Sequence, residues 1–130
     1  MKKDEQFSPT EVYSKGYTRE QALVSVDYGW ADLIHRVFDR LETLPHTPKI
    51  VQIKEKFGGL RVYTDYYDET FANFISEIEL ESYRVCAQCG KPGKLRGKRW
   101  YYTSCDIHAG AGDEPHKYQP GDKYAPQEED

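Results

Sequence analysis

Two segments of the chain repeat apolar side chains with the period of an α-helix. In residues 28–44 the apolar positions are Trp30, Leu33, Ile34, Val37, Phe38, Leu41 and Leu44. In residues 68–85 the inward-facing stripe is Phe71, Ile75, Ile78, Ser82 and Val85, with Phe74 alongside. Such spacing places the side chains on one face of a helix, so we predict two amphipathic helices. The capping-box spacing of Thr18 and Gln21 predicts a shorter helix over 19–26.

Residues 49–65 predict a β-hairpin. Two runs rich in β-branched and aromatic residues flank Gly58-Gly59, which is a strong turn signal. If Phe57 pairs with Leu60, one face is apolar apart from Glu55 and covers the first long helix. That face holds Val51, Ile53, Glu55, Phe57, Leu60, Val62 and Thr64. The other face is a basic ribbon with a tyrosine in it and holds Gln52, Lys54, Lys56, Arg61, Tyr63 and Asp65.

Charge is unevenly distributed along the chain. The net charge is −4, and residues 113–130, with six acids and two lysines, account for all of it. This segment contains three prolines and has no apolar periodicity, so we predict a flexible acidic tail. Within the neutral remainder, residues 65–81 hold six acids and no base, and residues 84–99 hold six bases and no acid.

The composition favours a cytoplasmic protein. Three cysteines are an odd number, which argues against a closed disulfide framework. No run of about 18 apolar residues is present, so we expect no membrane span. The N-terminal lysines are not followed by an apolar stretch, so we expect no secretory signal.

The three cysteines and one histidine form two matched pairs. Cys86 and Cys89 have two residues between them, as do Cys105 and His108, and fifteen residues separate the pairs. This pattern is typical of a zinc site, because two ligands three positions apart on a tight turn can face one tetrahedral ion. The alternative is three unrelated thiols and a surface histidine. His116 is a less favoured candidate for the fourth ligand.

We expect the ion to be structural. A catalytic zinc keeps one position open for water, whereas four strong ligands close the coordination shell. The expected fold is therefore α+β. Residues 1–84 form a body of two main helices on a hairpin, residues 85–112 form a zinc-ribbon or treble-clef-like β unit, and residues 113–130 form the tail. We expect the zinc unit to dock on the second helix through Val85, Leu95 and Trp100.

Basic and aromatic residues are interleaved in the hairpin and in the zinc unit. Cations bind phosphates, and aromatic rings stack on bases with about 1–3 kcal/mol per base. The candidate partner-binding residues are Lys54, Lys56, Arg61, Tyr63, Lys94, Arg96, Lys98, Arg99, Trp100 and Tyr102. In the competing interpretation, Trp100 and alternate tyrosines pack beneath the zinc turns. The neutral body charge argues against broad, non-specific DNA binding.

The segments "GW", "IKEKFGGLRVY" and "CAQCGKPGKLRGKRWYYTSCDIH" resemble a family of small, mostly uncharacterised phage, prophage and bacterial proteins. In that family a KEKFGGLR-like hairpin precedes a zinc-ribbon-like end, and the resemblance covers roughly residues 28–109. It implies zinc binding and a phage or mobile-element setting, but no activity.

Three hypotheses follow from these residues and the resemblance. The first is a non-enzymatic accessory factor that binds and modulates a host protein, and the second is a binder of nucleic acid or nucleotide. The third and weakest is a metal-dependent nuclease, because His35 and His46 match no catalytic ion motif.

Overall fold

The computed structural model describes residues 16–122, and they form an α+β arrangement. Three α-helices are present: α1 (Arg19–Leu23), α2 (Ala31–Leu41), which a 3-10 turn (Tyr28–Trp30) precedes, and α3 (Glu69–Ser82). The four strands are β1 (Ile50–Lys56), β2 (Gly59–Thr64), β3 (Lys94–Arg96) and β4 (Tyr102–Ser104), paired as two antiparallel hairpins. Within the described part of the chain, no helix is both long and apolar enough to span a bilayer.

The helices begin and bury their side chains as their sequences predict. The capping box of α1 is present, since the Gln21 N–H donates to Thr18 Oγ1 at 3.1 Å and Thr18 N–H donates to Gln21 Oε1 at 2.9 Å. Asp68 caps α3 by accepting from the Phe71 N–H at 2.9 Å. Most residues of the predicted α2 and α3 stripes are buried, in one core with β1 and β2, whereas Leu44, Phe74 and Val85 are only partly buried against it.

The first hairpin has the predicted faces but a different register. Lys56 pairs with Gly59, so the turn is Phe57-Gly58 and the predicted pairing of Phe57 with Leu60 is wrong. Both turn residues have positive φ, 53° for Phe57 and 87° for Gly58, as a tight two-residue turn requires. A shift of two positions keeps side-chain parity, so Ile53 remains on the buried face. Phe57 instead lies half exposed at the turn.

A register irregularity at the start of β1 changes one further assignment. The pairing shifts between Ile50 and Gln52, so Ile50 becomes the buried residue and Val51 is only partly buried. The apolar face therefore ends one position earlier than strict alternation predicts.

Residues 113–122 differ from the expected flexible tail, because they lie along β3. Leu95 donates its N–H to Gln119 Oε1 at 2.7 Å, and its carbonyl accepts from the His116 N–H at 2.9 Å. Gln119 Nε2 also donates to the Leu95 carbonyl, at 3.1 Å. This segment therefore satisfies the outer edge of β3. The rest of the predicted tail, 123–130, lies outside the described residues.

A bidentate ion pair joins α2 to α3. The Arg36 guanidinium donates to both carboxylate oxygens of Glu81, at 2.7 and 3.0 Å. The hydrogen bonds from Arg36 lower the pKa of Glu81. The group therefore stabilises the fold above its ordinary value of 4.5, and that stability is lost as pH falls below it.

We expect Arg36 and Glu81 to couple by about 0.5–1 kcal/mol in a double-mutant cycle with Arg36→Met and Glu81→Gln. The value is small because both side chains are partly exposed and solvent screens the pair. Chemical denaturation of the four proteins at neutral pH measures it. The coupling should keep its size at every pH above 4.5, the ordinary Glu value; a coupling of zero at neutral pH would contradict the pair's role.

Candidate metal centre

The four predicted ligand atoms converge on one point. The Nδ1 atom of His108 lies 3.3 Å from Cys105 Sγ and 3.7 Å from Cys86 Sγ, and the Sγ atoms of Cys89 and Cys105 are 3.8 Å apart. All four atoms lie within 4.8 Å of one another. Sulfur atoms bound at ~2.3 Å to a tetrahedral ion lie about 3.8 Å apart. The geometry therefore fits a four-ligand metal centre with His108 coordinating through Nδ1.

Backbone hydrogen bonds shape the first ligand turn. The Gly90 N–H donates to the Cys86 carbonyl at 2.9 Å, and the φ of Gly90 is 82°, which glycine adopts without strain. The Cys86 N–H donates to the Lys91 carbonyl at 2.7 Å, and the Ala87 N–H donates to the Thr103 carbonyl at 3.1 Å. The turn is thus closed on itself and tied to β4, which leads into Cys105.

The electrostatics of the cluster favour the thiolate form at two of its three cysteines. Burial raises the pKa of Cys86, but backbone N–H groups of Cys105, Cys89 and Gln88 stabilise the thiolate and bring the net pKa down to about 6. Burial likewise raises the pKa of Cys105, but hydrogen bonds from His108, Cys89 and the Ile107 backbone together outweigh it, so the net pKa is lowered. The hydrogen bond to Cys86 is the largest cause that raises the pKa of His108. The backbone N–H of Lys91 lowers the pKa of Cys89, but burial and the neighbouring sulfur atoms of Cys86 and Cys105 outweigh it, so the net pKa of Cys89 is raised. A cation bound among the three sulfur atoms would favour the thiolate form of all of them.

The sequence pair Gly29-Trp30 supports the first ligand turn from the helical body. The Gly29 N–H donates to the Ala87 carbonyl at 2.7 Å, and Trp30 Nε1 donates to the Val85 carbonyl at 2.9 Å. A Cβ on Gly29 would lie 2.0 Å from the Cys86 carbonyl oxygen. Sequence reasoning used this pair only as a helix start, because contacts across more than fifty residues leave no local signal.

The turn of the first hairpin supports the metal unit from the other side. A Cβ on Gly58 would lie 2.5 Å from Leu95 Cδ1 and 3.2 Å from the Tyr102 backbone. Thr103 Oγ1 donates to the Gly58 carbonyl at 2.7 Å. Gly58 therefore serves a close approach as well as a turn.

The metal unit docks differently from the expectation that named Val85, Leu95 and Trp100. Leu95 is buried against the hairpin turn, and Val85 is partly buried against the core of the body. Trp100, in contrast, is 73% exposed. The expectation that Trp100 docks the unit is therefore wrong.

Two of the predicted partner-binding residues have structural contacts instead. Arg96 is only 4% exposed, and its guanidinium donates to the Ser104 carbonyl, the Asp113 carbonyl and the Asp106 carboxylate. Tyr102 is partly buried, and its hydroxyl donates to the Asp113 carboxylate. Both residues order the β3–β4 unit. Their locally basic and aromatic sequence gave no sign of these partners.

The remaining predicted residues lie nearer the surface. Lys94, Lys98, Arg99 and Trp100 are exposed on the metal unit. On the outer face of the first hairpin, Lys54, Lys56 and Arg61 are partly buried and Tyr63 is exposed.

These four hairpin residues have partners within the fold, and Lys56 Nζ lies 5.5 Å from the ring centroid of Phe57. Lys54 Nζ lies 5.8 Å from the ring centroid of Tyr63. Arg61 donates to the Tyr83 hydroxyl at 3.0 Å. Arg61 is therefore anchored in the fold rather than held ready for a ligand.

The other histidines lie outside the metal cluster. His116 Nε2 is 2.5 Å from the Gly97 carbonyl, and its ring packs against Tyr101 at 4.7 Å between centroids. His35 Nδ1 lies 2.9 Å from an Arg19 guanidinium nitrogen, and His46 Nε2 lies 3.6 Å from Asp68. In residues 16–122, the Cys₃His group is the one set of three or more His, Cys, Asp or Glu side chains within reach of a common ion.

Comparison of the chain with protein-family models, with curated proteins and with solved structures gives no match.

Proposed function

We propose that the protein is a non-enzymatic binding module held together by a structural zinc ion. Three soft thiolates and one imidazole suit Zn²⁺ better than the oxygen-seeking Mg²⁺ or Ca²⁺. The observed separations between ligand atoms, 3.3 to 3.8 Å, support a tetrahedral site. The two supports around it, Gly29-Trp30 and the hairpin turn, tie the ion to the body of the fold.

Catalysis at this ion is disfavoured by its ligand set. Four protein ligands fill a tetrahedral shell, so no position is left for water or substrate. Three thiolates also reduce the charge that a bound ligand would experience. The nuclease alternative would need a second ion site, and none is found within the part of the chain that the structure describes.

The exposure of Trp100 is the observation that carries the binding proposal. A small metal unit is expected to bury its large aromatic residue in its own core, yet Trp100 is 73% exposed. Exposed tryptophans and arginines are common centres of binding energy in interfaces. Trp100 also lies in a loop that Gly97 closes tightly, since a Cβ there would lie 2.0 Å from the Trp100 carbonyl oxygen. The ring is thus presented from an ordered backbone.

The biological setting in the proposal rests on the sequence resemblance alone. Small phage and mobile-element proteins commonly act on the macromolecules of their host. The proposed role is therefore that of an accessory factor whose metal unit contacts a host macromolecule and modulates it in the cytoplasm.

Affinity capture from a lysate of the native host tests this function. We expect the zinc-loaded protein to retain a macromolecule and Trp100→Ala to retain at least tenfold less. Tyr67→Ala is the matched control, because Tyr67 is also 73% exposed but lies just before α3. Zinc content must be equal in all three proteins. If the wild type captures nothing, or Trp100→Ala captures as much as the control, the proposed function is wrong.

A further inference from the structure

We propose that the ligand of this module is single-stranded nucleic acid, bound where the turn of the first hairpin approaches the β3–β4 loop. We call this region the tip surface and define it by Lys56, Phe57, Lys98, Arg99 and Trp100. The inference rests on the proposed binding function and names the chemical class of the partner.

The fold brings the two turns together. The Phe57-Gly58 turn contacts the beginning of β4, because the position of a Gly58 Cβ is 3.2 Å from the backbone of Tyr102. The Thr103–Gly58 hydrogen bond of 2.7 Å fixes this approach. Trp100 lies in the β3–β4 loop, two positions before Tyr102. The hairpin turn and the loop are therefore neighbours although more than forty residues separate them in sequence.

The exposed rings on these turns suit unpaired bases. Trp100 is 73% exposed and Phe57 is 49% exposed, so both rings offer surface to a ligand. A base can stack on such a ring only when it is free of its own partner strand, and each stack contributes about 1–3 kcal/mol. This requirement favours a single strand over a duplex.

The charges at the tip surface complement phosphate. Lys98 and Arg99 are exposed beside Trp100, and Lys56 Nζ lies 5.5 Å from the Phe57 ring centroid. Two acids in the adjoining segments already accept hydrogen bonds from within the protein. Glu55 accepts from the Gly58 N–H at 2.6 Å, and Asp106 accepts from Arg96 at 2.7 Å.

The cations of the tip surface are few and local. A duplex binder generally presents a broad basic face, whereas the body of this chain is neutral. Three cations predict a log–log salt dependence of about −2 for a single strand.

The two tryptophans provide a direct assay. Trp30 is buried in the core and Trp100 is exposed, so a stacking ligand should quench the fluorescence of Trp100 alone. The probes are an oligothymidylate of about 12 nucleotides, a blunt duplex of equal length and thymidine monophosphate, each titrated into zinc-loaded protein at low salt. We expect quenching and tight binding with the single strand, and at least tenfold weaker binding of the duplex and the monophosphate.

Matched variants separate stacking from charge. With a 5′-labelled oligothymidylate and anisotropy as readout, Trp100→Ala should weaken binding at least tenfold, while Tyr67→Ala leaves it unchanged. Replacing Lys98 and Arg99 together by Glu should abolish binding, whereas the charge-preserving pair Lys98→Arg with Arg99→Lys should retain it. Equal zinc content and far-UV circular dichroism show that each variant is folded.

Three results would overturn the inference. They are no binding of the oligothymidylate at low salt, equal affinity for the duplex, and unchanged affinity of Trp100→Ala. If any of these occurs while the lysate capture still depends on Trp100, the ligand class is wrong and the binding module stands. If the oligothymidylate test fails and the lysate capture does not depend on Trp100 either, the proposed function is wrong as well.

Discussion

Removing the proposed zinc ion will unfold residues 84–108 and detach them from the helical core. β3 and β4 are three residues each, which is too little sheet to persist without the ion. Apparent zinc-binding free energies in small folded peptides are about 10–16 kcal/mol, as large as the stability of a typical domain. The core between α2 and α3 should keep most of its helical signal, because its buried side chains come from the helices and the first hairpin, and the metal unit adds only Val85 and Ala87 at its margin.

Chelator titration followed by thermal unfolding measures this effect. Trp30 fluorescence reports on the junction, since its Nε1 donates to the Val85 carbonyl one residue before Cys86. Cys105→Ala should lose one equivalent of zinc and lower the melting temperature as much as the chelator does. Ile107→Ala is the matched control, because Ile107 lies between two ligands but is 82% exposed.

A second pair of variants tests the identity of the fourth ligand. His108→Ala should lower zinc affinity by orders of magnitude, and His116→Ala should retain one zinc per chain because His116 is held by Gly97 and Tyr101. Elemental analysis that finds no zinc in the wild type, or a chelated protein with an unchanged melting curve, would refute a structural metal.

Gly29→Ala will cost about 3 kcal/mol or more in the free energy of unfolding and will weaken zinc binding. The added Cβ would lie 2.0 Å from the Cys86 carbonyl oxygen and 2.4 Å from the Ala87 carbonyl carbon. Optimal carbon contacts are about 3.5–4.0 Å, so the atoms cannot coexist in this position. Both neighbours are backbone of the ligand turn, which cannot move aside as a flexible side chain would. Relief of the overlap must therefore displace Cys86 or α2.

Denaturant unfolding and competition with a zinc chelator measure the two effects of Gly29→Ala. Tyr28→Ala is the control, since Tyr28 precedes Gly29 and its side chain is exposed. That control should keep wild-type stability and zinc affinity. If Gly29→Ala has the wild-type free energy of unfolding and the wild-type zinc affinity, the close contact between Gly29 and the ligand turn is not as described.

Features with a local physical origin were predictable from the sequence. Helix periodicity identified the buried faces of α2 and α3, and the Thr18–Gln21 spacing identified a cap. The ligand set was readable because reach along a tight turn limits the spacing of Cys86 and Cys89. The faces of the first hairpin were predicted correctly despite an error of two positions in register, because side-chain direction along a strand repeats with period two.

Features that depend on contacts between distant segments were not predictable. In the sequence Arg96 resembles a surface cation in a basic loop. In the structure its guanidinium donates to the Ser104 carbonyl, the Asp113 carbonyl and the Asp106 carboxylate. The segment after residue 112 has the composition of a flexible tail, but composition does not reveal that Gln119 fits the edge of β3. These contacts are set by the tertiary fold, which overrides local composition.

The Gln119 side chain has a consequence for how copies of the chain behave toward one another. Its amide offers Leu95 one acceptor and one donor, as the backbone of a third strand would. A two-stranded sheet with an unpaired edge is a template for intermolecular β-pairing and aggregation. Gln119, together with the His116 N–H, thus satisfies the Leu95 backbone groups with which a strand of a neighbouring molecule would otherwise pair.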